Sequence, residues 1–243
     1  MTQPSKIALI TGANKGIGFE VARALGKAGH RVLLGARNPA NGAKAAAQLQ
    51  SEGLEVTPVE LDLDRPATIT ALAARITSEY GGLDVLVNNA GIGDPQDGPP
   101  SMASIEALRR VMDTNFIGAV AVAQAMLPLL RAAPAARIVN VSSGLGSITL
   151  NSDPKWEFAD YKVLGYCASK AAMNMLTVHL AWELRDTAIK VNSADPGYTA
   201  TDLNGNSGPQ TVQEGAAETI RLALLPADGP TGGFFETAGR RAW

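Results

Sequence analysis

Residues 6–29 read KIALITGANKGIGFEVARALGKAG, and their order decides the fold. KIALI (6–10) is a short apolar run of strand type. It passes directly into TGANKGIG (11–18), and a helical pattern follows from about Gly16 to Ala28. Gly12, Gly16 and Gly18 permit a tight turn and let a ligand approach bare backbone N–H groups. The start of the next helix adds unpaired N–H donors and the positive end of its dipole, a setting that favours a pyrophosphate. The spacing is G-x-x-x-G-x-G, which differs from the general dinucleotide pattern G-x-G-x-x-G. Strand before and helix after make nucleotide binding the expectation.

The same alternation continues outward. RVLLGA (31–36) reads as a strand and 40–51 as an Ala-rich helix. EVTPVEL (55–61) is followed by a helix over about 66–79, and LDVLVNN (83–89) by a long helical stretch over about 104–130. RIVNVSS (137–143), a helix over about 165–185, IKVNSA (189–194) and a helix near 210–225 come next, and GGFFE (232–236) closes the series as an edge strand. The strands are nearly continuous apolar runs, as required when helices cover both faces. Regular β-α alternation implies a parallel sheet with right-handed crossovers. No repeat or linker divides the chain. The expectation is a single Rossmann-type doubly wound α/β domain over 1–243, with about seven parallel strands.

Composition narrows the function. Of 243 residues, 46% are hydrophobic and 18% charged, with a net charge of −2, so no nucleic-acid partner is indicated. Cys167 stands alone, which excludes an intramolecular disulfide, and the two histidines, His30 and His179, form no cluster with metal-ligand spacing. No signal peptide and no run of about 18 apolar residues is read, so the expectation is a cytoplasmic protein without a membrane partner. The charge is uneven. Residues 1–50 carry seven Lys or Arg and one carboxylate, Glu20. An NAD site would place an acid near the end of the second strand. Here that strand ends Leu34-Gly35-Ala36-Arg37. Arg37 is a planar, permanently charged fork suited to phosphate. With Lys15 in the glycine turn it points to the 2′-phosphate of NADP(H).

The chain resembles the short-chain dehydrogenase/reductase family, in particular its carbonyl-reductase-like members. The resemblance rests on Thr11-Gly12-x-x-x-Gly16-x-Gly18, Asn88-Asn89-Ala90-Gly91, Asn115, Ser143, Tyr166-x-x-x-Lys170 and Pro196-Gly197-x-x-x-Thr201. These occur in the family's order and cover nearly the whole length. The resemblance implies hydride transfer between NADP(H) and a carbonyl or alcohol, with Asn115, Ser143, Tyr166 and Lys170 as catalytic residues. It implies that Ser143 and Tyr166 hold the carbonyl oxygen, that Lys170 grips the nicotinamide ribose, and that Asn115 holds a water linking Lys170 to solvent. Cofactor contacts are implied for Gly12, Asn14, Lys15, Gly16, Ile17, Gly18, Arg37, Asp62, Leu63, Asn88, Ala90, Gly91, Tyr166, Lys170, Pro196, Gly197, Thr199 and Thr201.

Tyr161 and Tyr166 both lie in ADYKVLGYCASKAAMN (159–174). Four positions beyond Tyr161 is Gly165, and four beyond Tyr166 is Lys170. Positions i and i+4 share a helix face, so the Lys170 ammonium is expected beside the Tyr166 ring. A nearby cation lowers a phenol from its usual value of about 10. Reaching neutrality takes about three units, or roughly 4 kcal/mol, so the oxidised nicotinamide's charge is expected to contribute as well. Lys162, four positions before Tyr166, is a rival if the helix begins early. Cys167 and His179 are read as packing or surface residues.

The loops at the carboxyl ends of the strands carry the substrate expectation. These are DPQDGPP (94–100), the segment between Ser143 and Tyr166, and GYTATDLNGNSGPQ (197–210). Leu145, Trp156, Tyr198 and Leu203 are the proposed pocket, which suits a hydrophobic aldehyde or ketone. Alternatives are a non-catalytic NADP(H)-dependent redox sensor and an alcohol dehydrogenase working oxidatively. Family members commonly pair through the Tyr-x-x-x-Lys helix. The chain's own 144–165 segment is of intermediate length, which leaves monomer, homodimer and homotetramer open.

Overall fold

The computed structural model describes residues 5–243. Its strands are β1 (Ile7–Ile10), β2 (Arg31–Ala36), β3 (Val56–Glu60), β4 (Val85–Asn88), β5 (Arg137–Val141), β6 (Lys190–Ala194), β7 (Gly233–Glu236) and β8 (Gly239–Arg240). The helices are α1 (Gly16–Lys27), α2 (Pro39–Ser51), α3 (Pro66–Tyr80), α4 (Ile105–Met112), α5 (Gly118–Ala132), α6 (Ile148–Asn151), α7 (Leu164–Glu183) and α8 (Val212–Ala223). The sheet order is β3-β2-β1-β4-β5-β6-β7-β8. Strands β1 to β7 pair in parallel, while β7 and β8 are antiparallel.

Each strand feeds two cores because successive side chains alternate between faces. Ala8, Ile10, Val32 and Leu34 pack on one face with α1, α2 and α8. Ile7, Leu9 and Leu33 pack on the other with α3, α5 and α7. Fully burying one such leucine or isoleucine contributes about 1.5–3 kcal/mol, and Leu9, Ile10, Leu33 and Leu34 are all essentially inaccessible.

One expectation needs correction. GGFFE is not the edge: the chain turns after Glu236, and Gly239–Arg240 adds an eighth, antiparallel strand. Two residues are too few for a periodic signal, so β8 left no pattern in the sequence. The helical stretch Ile105–Ala132 passes the length and composition of a membrane span, as the core helix of a folded domain can. In the fold its apolar side faces the sheet, where Val122, Met126 and Leu130 are fully buried.

Helix starts are built unequally. Asn38 accepts from the Ala40 and Asn41 amides to cap α2, and Thr211 with Glu214 forms a reciprocal capping box on α8. Helix α1 has no side-chain cap and no acid in its first turn. Its first N–H groups therefore remain open toward the glycine turn.

Candidate active site

Strands β1 and β4 are neighbours, and their onward connections run to opposite sides of the sheet. That switch point opens a crevice at the carboxyl ends of the strands. The glycine turn after β1 lines one wall and Asn88-Asn89-Ala90-Gly91 the other. Thr11 Oγ1 accepts from the Asn89 and Ala90 amides, both at 2.9 Å. Asn89 Nδ2 donates to the carbonyls of Thr11 (2.9 Å) and Gly12 (3.2 Å), locking the turn. Gly12 has φ +63°, and a Cβ there would sit 2.9 Å from Ala90 Cα, so both conformation and space demand glycine. Asn14 and Ile17 are half-buried beside this turn.

Arg37 follows β2, is exposed, and forms no ion pair among the described residues. Lys15 is different. It pairs with Asp202 at 2.7 Å, both groups exposed, and ties the glycine turn to the 197–210 loop. Asp62 lies just past β3, 3.5 Å from Arg65, with its Oδ1 accepting from the Asp64 amide. Leu63 packs toward Gly118 at the start of α5.

Asn88 is buried. Its Nδ2 donates to Asn140 Oδ1 at 2.9 Å, Asn140 donates to Thr177, and Thr177 pairs with Ser193. This polar ladder joins β4, β5, α7 and β6, so the Asn88 amide nitrogen fastens the sheet. Asn115 sits fully buried in a π-helical turn, Asp113–Ile117, between α4 and α5. Such turns interrupt the regular ladder and recur at functional sites. Its amide donates to Ile92 O (2.9 Å) and Ser169 Oγ (3.0 Å) and accepts from Ile92 N (2.7 Å). Gly91 lies between Asn115 and Lys170: a Cβ there would be 3.4 Å from Asn115 Oδ1 and 3.5 Å from Lys170 Nζ.

Helix α7 begins at Leu164, which places Lys162 before it. Lys162 Nζ donates to Asn151 O at 3.2 Å, and the rival pairing with Tyr166 is excluded. Tyr161 is exposed. Lys170 is buried, with Nζ 5.6 Å from the Tyr166 ring centroid, and it donates to Val141 O at 2.8 Å. Ser143 heads the turn after β5, and its hydroxyl lies against the Tyr166 phenol. Ser142 donates instead to Lys170 O.

The juxtaposition matches expectation, but the direction of the phenol's shift does not. Burial pushes Tyr166 well above the usual phenol range, the Asp195 carboxylate adds to this, and the Ser143 hydrogen bond opposes it. Lys170 is itself pushed down to about 8 by burial, against the pull of Asp195. Tyr166 therefore holds its proton at neutral pH.

Two carboxylates around this constellation carry no mark in the sequence. Asp97, in the 94–100 loop, caps α7 from a distance: its carboxylate accepts from the amides of Gly98 (2.8 Å), Gly165 (2.9 Å) and Tyr166 (2.9 Å). The D-G-P punctuation marks a turn, but nothing local marks its target 69 residues onward. Asp195, after β6, is the other, because nothing in its neighbours announces burial.

Past Asp195, Pro196 leads into Gly197, which has φ +69°. Thr199 is buried, with its hydroxyl donating to Pro196 O. Thr201 approaches the glycine turn, its Cγ2 lying 3.9 Å from a Cβ placed on Gly16. Leu203 approaches Gly93 in the same way at 3.8 Å. Trp156 meets Phe158 edge-on at 5.4 Å between centroids, and Phe158 meets Tyr198 at 5.6 Å. Segment 144–165 thus closes against the 197–210 loop, with Leu145 half-buried near Ser143. Phe158 is the centre of this aromatic bridge.

The crevice at the switch point, with its bare helix start, defines a dinucleotide-type α/β domain. The short chain dehydrogenase family profile matches residues 6–211, and the chain belongs to that family. It is 38% identical to a short-chain dehydrogenase of Penicillium roqueforti, over 92% of this chain and 89% of that one. It is 37% identical to carbonyl reductase (NADPH) 3 of Rattus norvegicus, over 94% of both. Among solved structures, NADPH-bound carbonyl reductase from chicken fatty liver superposes with a TM-score of 0.85 at 29% identity, covering 99% of this chain and 100% of that one.

Proposed function

We propose that this chain is an NADP(H)-dependent carbonyl reductase acting on hydrophobic aldehydes or ketones. The observation that carries the reading is the Tyr166 phenol beside the Ser143 hydroxyl, with the Lys170 ammonium 5.6 Å from its ring centroid. The cofactor part is supported by the cradle: Gly12 with its left-handed φ, the uncapped start of α1, and the unpaired Arg37. These residues fit a pyrophosphate and a 2′-phosphate. When bound, NADPH supplies hydride to the carbonyl carbon. Ser143 and Tyr166 donate to the carbonyl oxygen, and the Tyr166 proton passes to that oxygen as negative charge develops. A phenol raised by burial is protonated and ready to donate. Lys170 steadies it as a cation and faces the ribose side, while Asn115 holds the Gly91-Ile92 backbone beside both. The aromatic bridge from Trp156 through Phe158 to Tyr198 excludes water and offers apolar contact.

The 32% identity to (+)-neomenthol dehydrogenase of Capsicum annuum favours a second reading, alcohol oxidation at the same site. Incubation with NADPH and a panel of aldehydes, ketones and quinones, followed at 340 nm, tests the first reading. Turnover confined to secondary alcohols with NADP+ selects the second. Tight NADPH binding with no turnover on either panel selects a redox sensor. Exposed Met175, Val178 and Trp182 on α7 support a homodimer through that helix, which sedimentation would detect. A reducing, cytoplasmic setting suits the free thiol of Cys167.

Asp97 provides a test of positioning. Asp97→Ala leaves the α7 amides uncapped, a loss of about 1–2 kcal/mol. Thermal melts are expected to drop by roughly 3–6 °C, and kcat by about tenfold, with NADPH affinity unchanged in fluorescence titration. A kcat equal to wild type would show that the helix start holds Tyr166 without this cap.

A further inference from the structure

The chemistry above leaves one buried ion pair without a role. Asp195 is 3% exposed, and its carboxylate lies 2.7 Å from the Arg241 guanidinium. Arg241 follows β8 and also pairs with Glu236 of β7. Both partners are firmly held. Arg241 N donates to Phe234 O at 2.8 Å, the Trp243 ring stacks on Phe234 at 5.7 Å, and Thr149 N donates to Trp243 O at 3.0 Å. Asp195 N donates to Phe235 O at 2.7 Å, and Asp195 Oδ1 accepts from Gly197 N at 3.0 Å. The pair lies directly under the turn that carries Ser143. A Cβ on Gly144 would be 3.0 Å from the Arg241 guanidinium and 3.1 Å from Asp195 Oδ2. The same turn reaches Lys170 at its other end, where a Cβ on Gly146 would be 2.7 Å from Lys170 Cβ. One short turn therefore separates the pair from the couple, and the sign of the carboxylate's field raises the proton affinity of both Tyr166 and Lys170.

A buried pair of this kind is a poor source of stability, because desolvation offsets its attraction. Its location points to a different use. We propose that Asp195 and Arg241 are positioning residues that set the proton affinity of the Tyr166–Lys170 couple. Asp195 acts through its field, and Arg241 neutralises that field from the segment beyond β8. This rests on the roles given above to Tyr166 and Lys170. The other groups facing Tyr166 are Ser143, Cys167 and Tyr161; Asp97 caps its backbone. Lys170 faces Asp195 and the Val141 carbonyl. Asp195 faces Arg241, Glu236 and the amides of Gly144 and Gly197.

The sign follows from charge. The Asp195 carboxylate disfavours a phenolate at Tyr166 and favours an ammonium at Lys170. Reduction needs the phenol and the ammonium both protonated, so the rate falls on the alkaline side as either loses its proton. Asp195→Asn removes the negative field and is expected to move that limb about one pH unit lower. Arg241→Met leaves the carboxylate uncompensated and is expected to move it higher by a similar amount. Arg241→Lys, which keeps a cation, returns the limb toward the wild-type position, as does the double variant lacking both charges.

The experiment is the pH profile of kcat/KM for NADPH and 4-nitrobenzaldehyde in these four variants and wild type, with a thermal melt of each. Opposite displacements in the two single-charge variants support the proposal, because a merely structural defect lowers rates without moving limbs in opposite senses. Limbs that stay put, or move together, overturn it. If Arg241→Met does not fold, the isosteric Asp195→Asn decides alone, and an unmoved limb there is a refutation. Tyr166→Phe in the same assay keeps the two questions apart. Residual wild-type turnover in that variant defeats the assigned site, whereas unmoved limbs beside an inactive Tyr166→Phe defeat only the ion pair.

Discussion

Tyr166→Phe is expected to keep its fold and its affinity for NADPH while kcat falls by at least about 10³-fold. The change removes one hydroxyl and nothing else. The ring stays packed on α7, Asp97 still caps the Tyr166 amide position, and Lys170 keeps its bond to the Val141 carbonyl. What disappears is the donor whose proton is held at neutral pH by burial and by Asp195. Positioned proton transfer is typically worth 10²–10⁴-fold. Ser143 remains and can still hydrogen-bond an oxyanion, but it is not a comparable acid. Stopped-flow reduction measured beside fluorescence titration of NADPH separates the two effects. Equal loss of rate and affinity would remove Tyr166 from the proton-transfer role.

The second large effect belongs to cofactor choice. Arg37→Asp is expected to lower the ratio of NADPH to NADH efficiency by about 10²- to 10³-fold, with NADH turnover itself little changed. Arg37 has no partner among the described residues, so its replacement breaks nothing in the protein. A charge-assisted hydrogen bond contributes about 1.5–3 kcal/mol, and tenfold corresponds to about 1.4 kcal/mol. Reversing the sign adds repulsion of the 2′-phosphate and places an acid where a ribose hydroxyl would accept one. Lys15 stands in contrast. Its ammonium is already engaged by Asp202, so Lys15→Ala is expected to change the ratio by less than tenfold. The Arg37 effect weakens as salt rises, since the group is exposed. Steady-state kinetics with both cofactors at two ionic strengths checks the whole pattern. An unchanged ratio for Arg37→Asp would mean that the phosphate is held elsewhere.

The distinction between Tyr161 and Tyr166 is legible in the spacing of the chain itself. Lys170 lies one helical turn beyond Tyr166, while Gly165 occupies the matching place for Tyr161. That inference needs only the 3.6-residue period. The glycine turn, the alternating strands and the bare Arg37 are legible for the same reason: each is a pattern within a few neighbouring residues. Other features give no local signal. Asp97 looks like part of a polar loop, and only the packing of that loop on α7 turns it into a cap. Asn88 gives no local sign of its partner Asn140, which lies across a strand pair 52 positions away. The two-residue β8 is too short to show alternation.

The deepest division concerns protonation. Spacing along the chain decided that an amine and a phenol would meet, because covalent geometry and helical rise are local. Whether the amine lowers the phenol or burial raises it was decided by what surrounds them. The Val141 carbonyl binds the ammonium, and the Asp195 carboxylate lies under the Ser143-Gly144 turn nearby. Desolvation and Coulomb energies depend on neighbours brought together from distant parts of the chain, including Arg241 from the segment beyond the last strand. The sequence alone therefore determined the fold class and which amine and phenol would meet, and tertiary packing determined the surroundings that set their proton affinities.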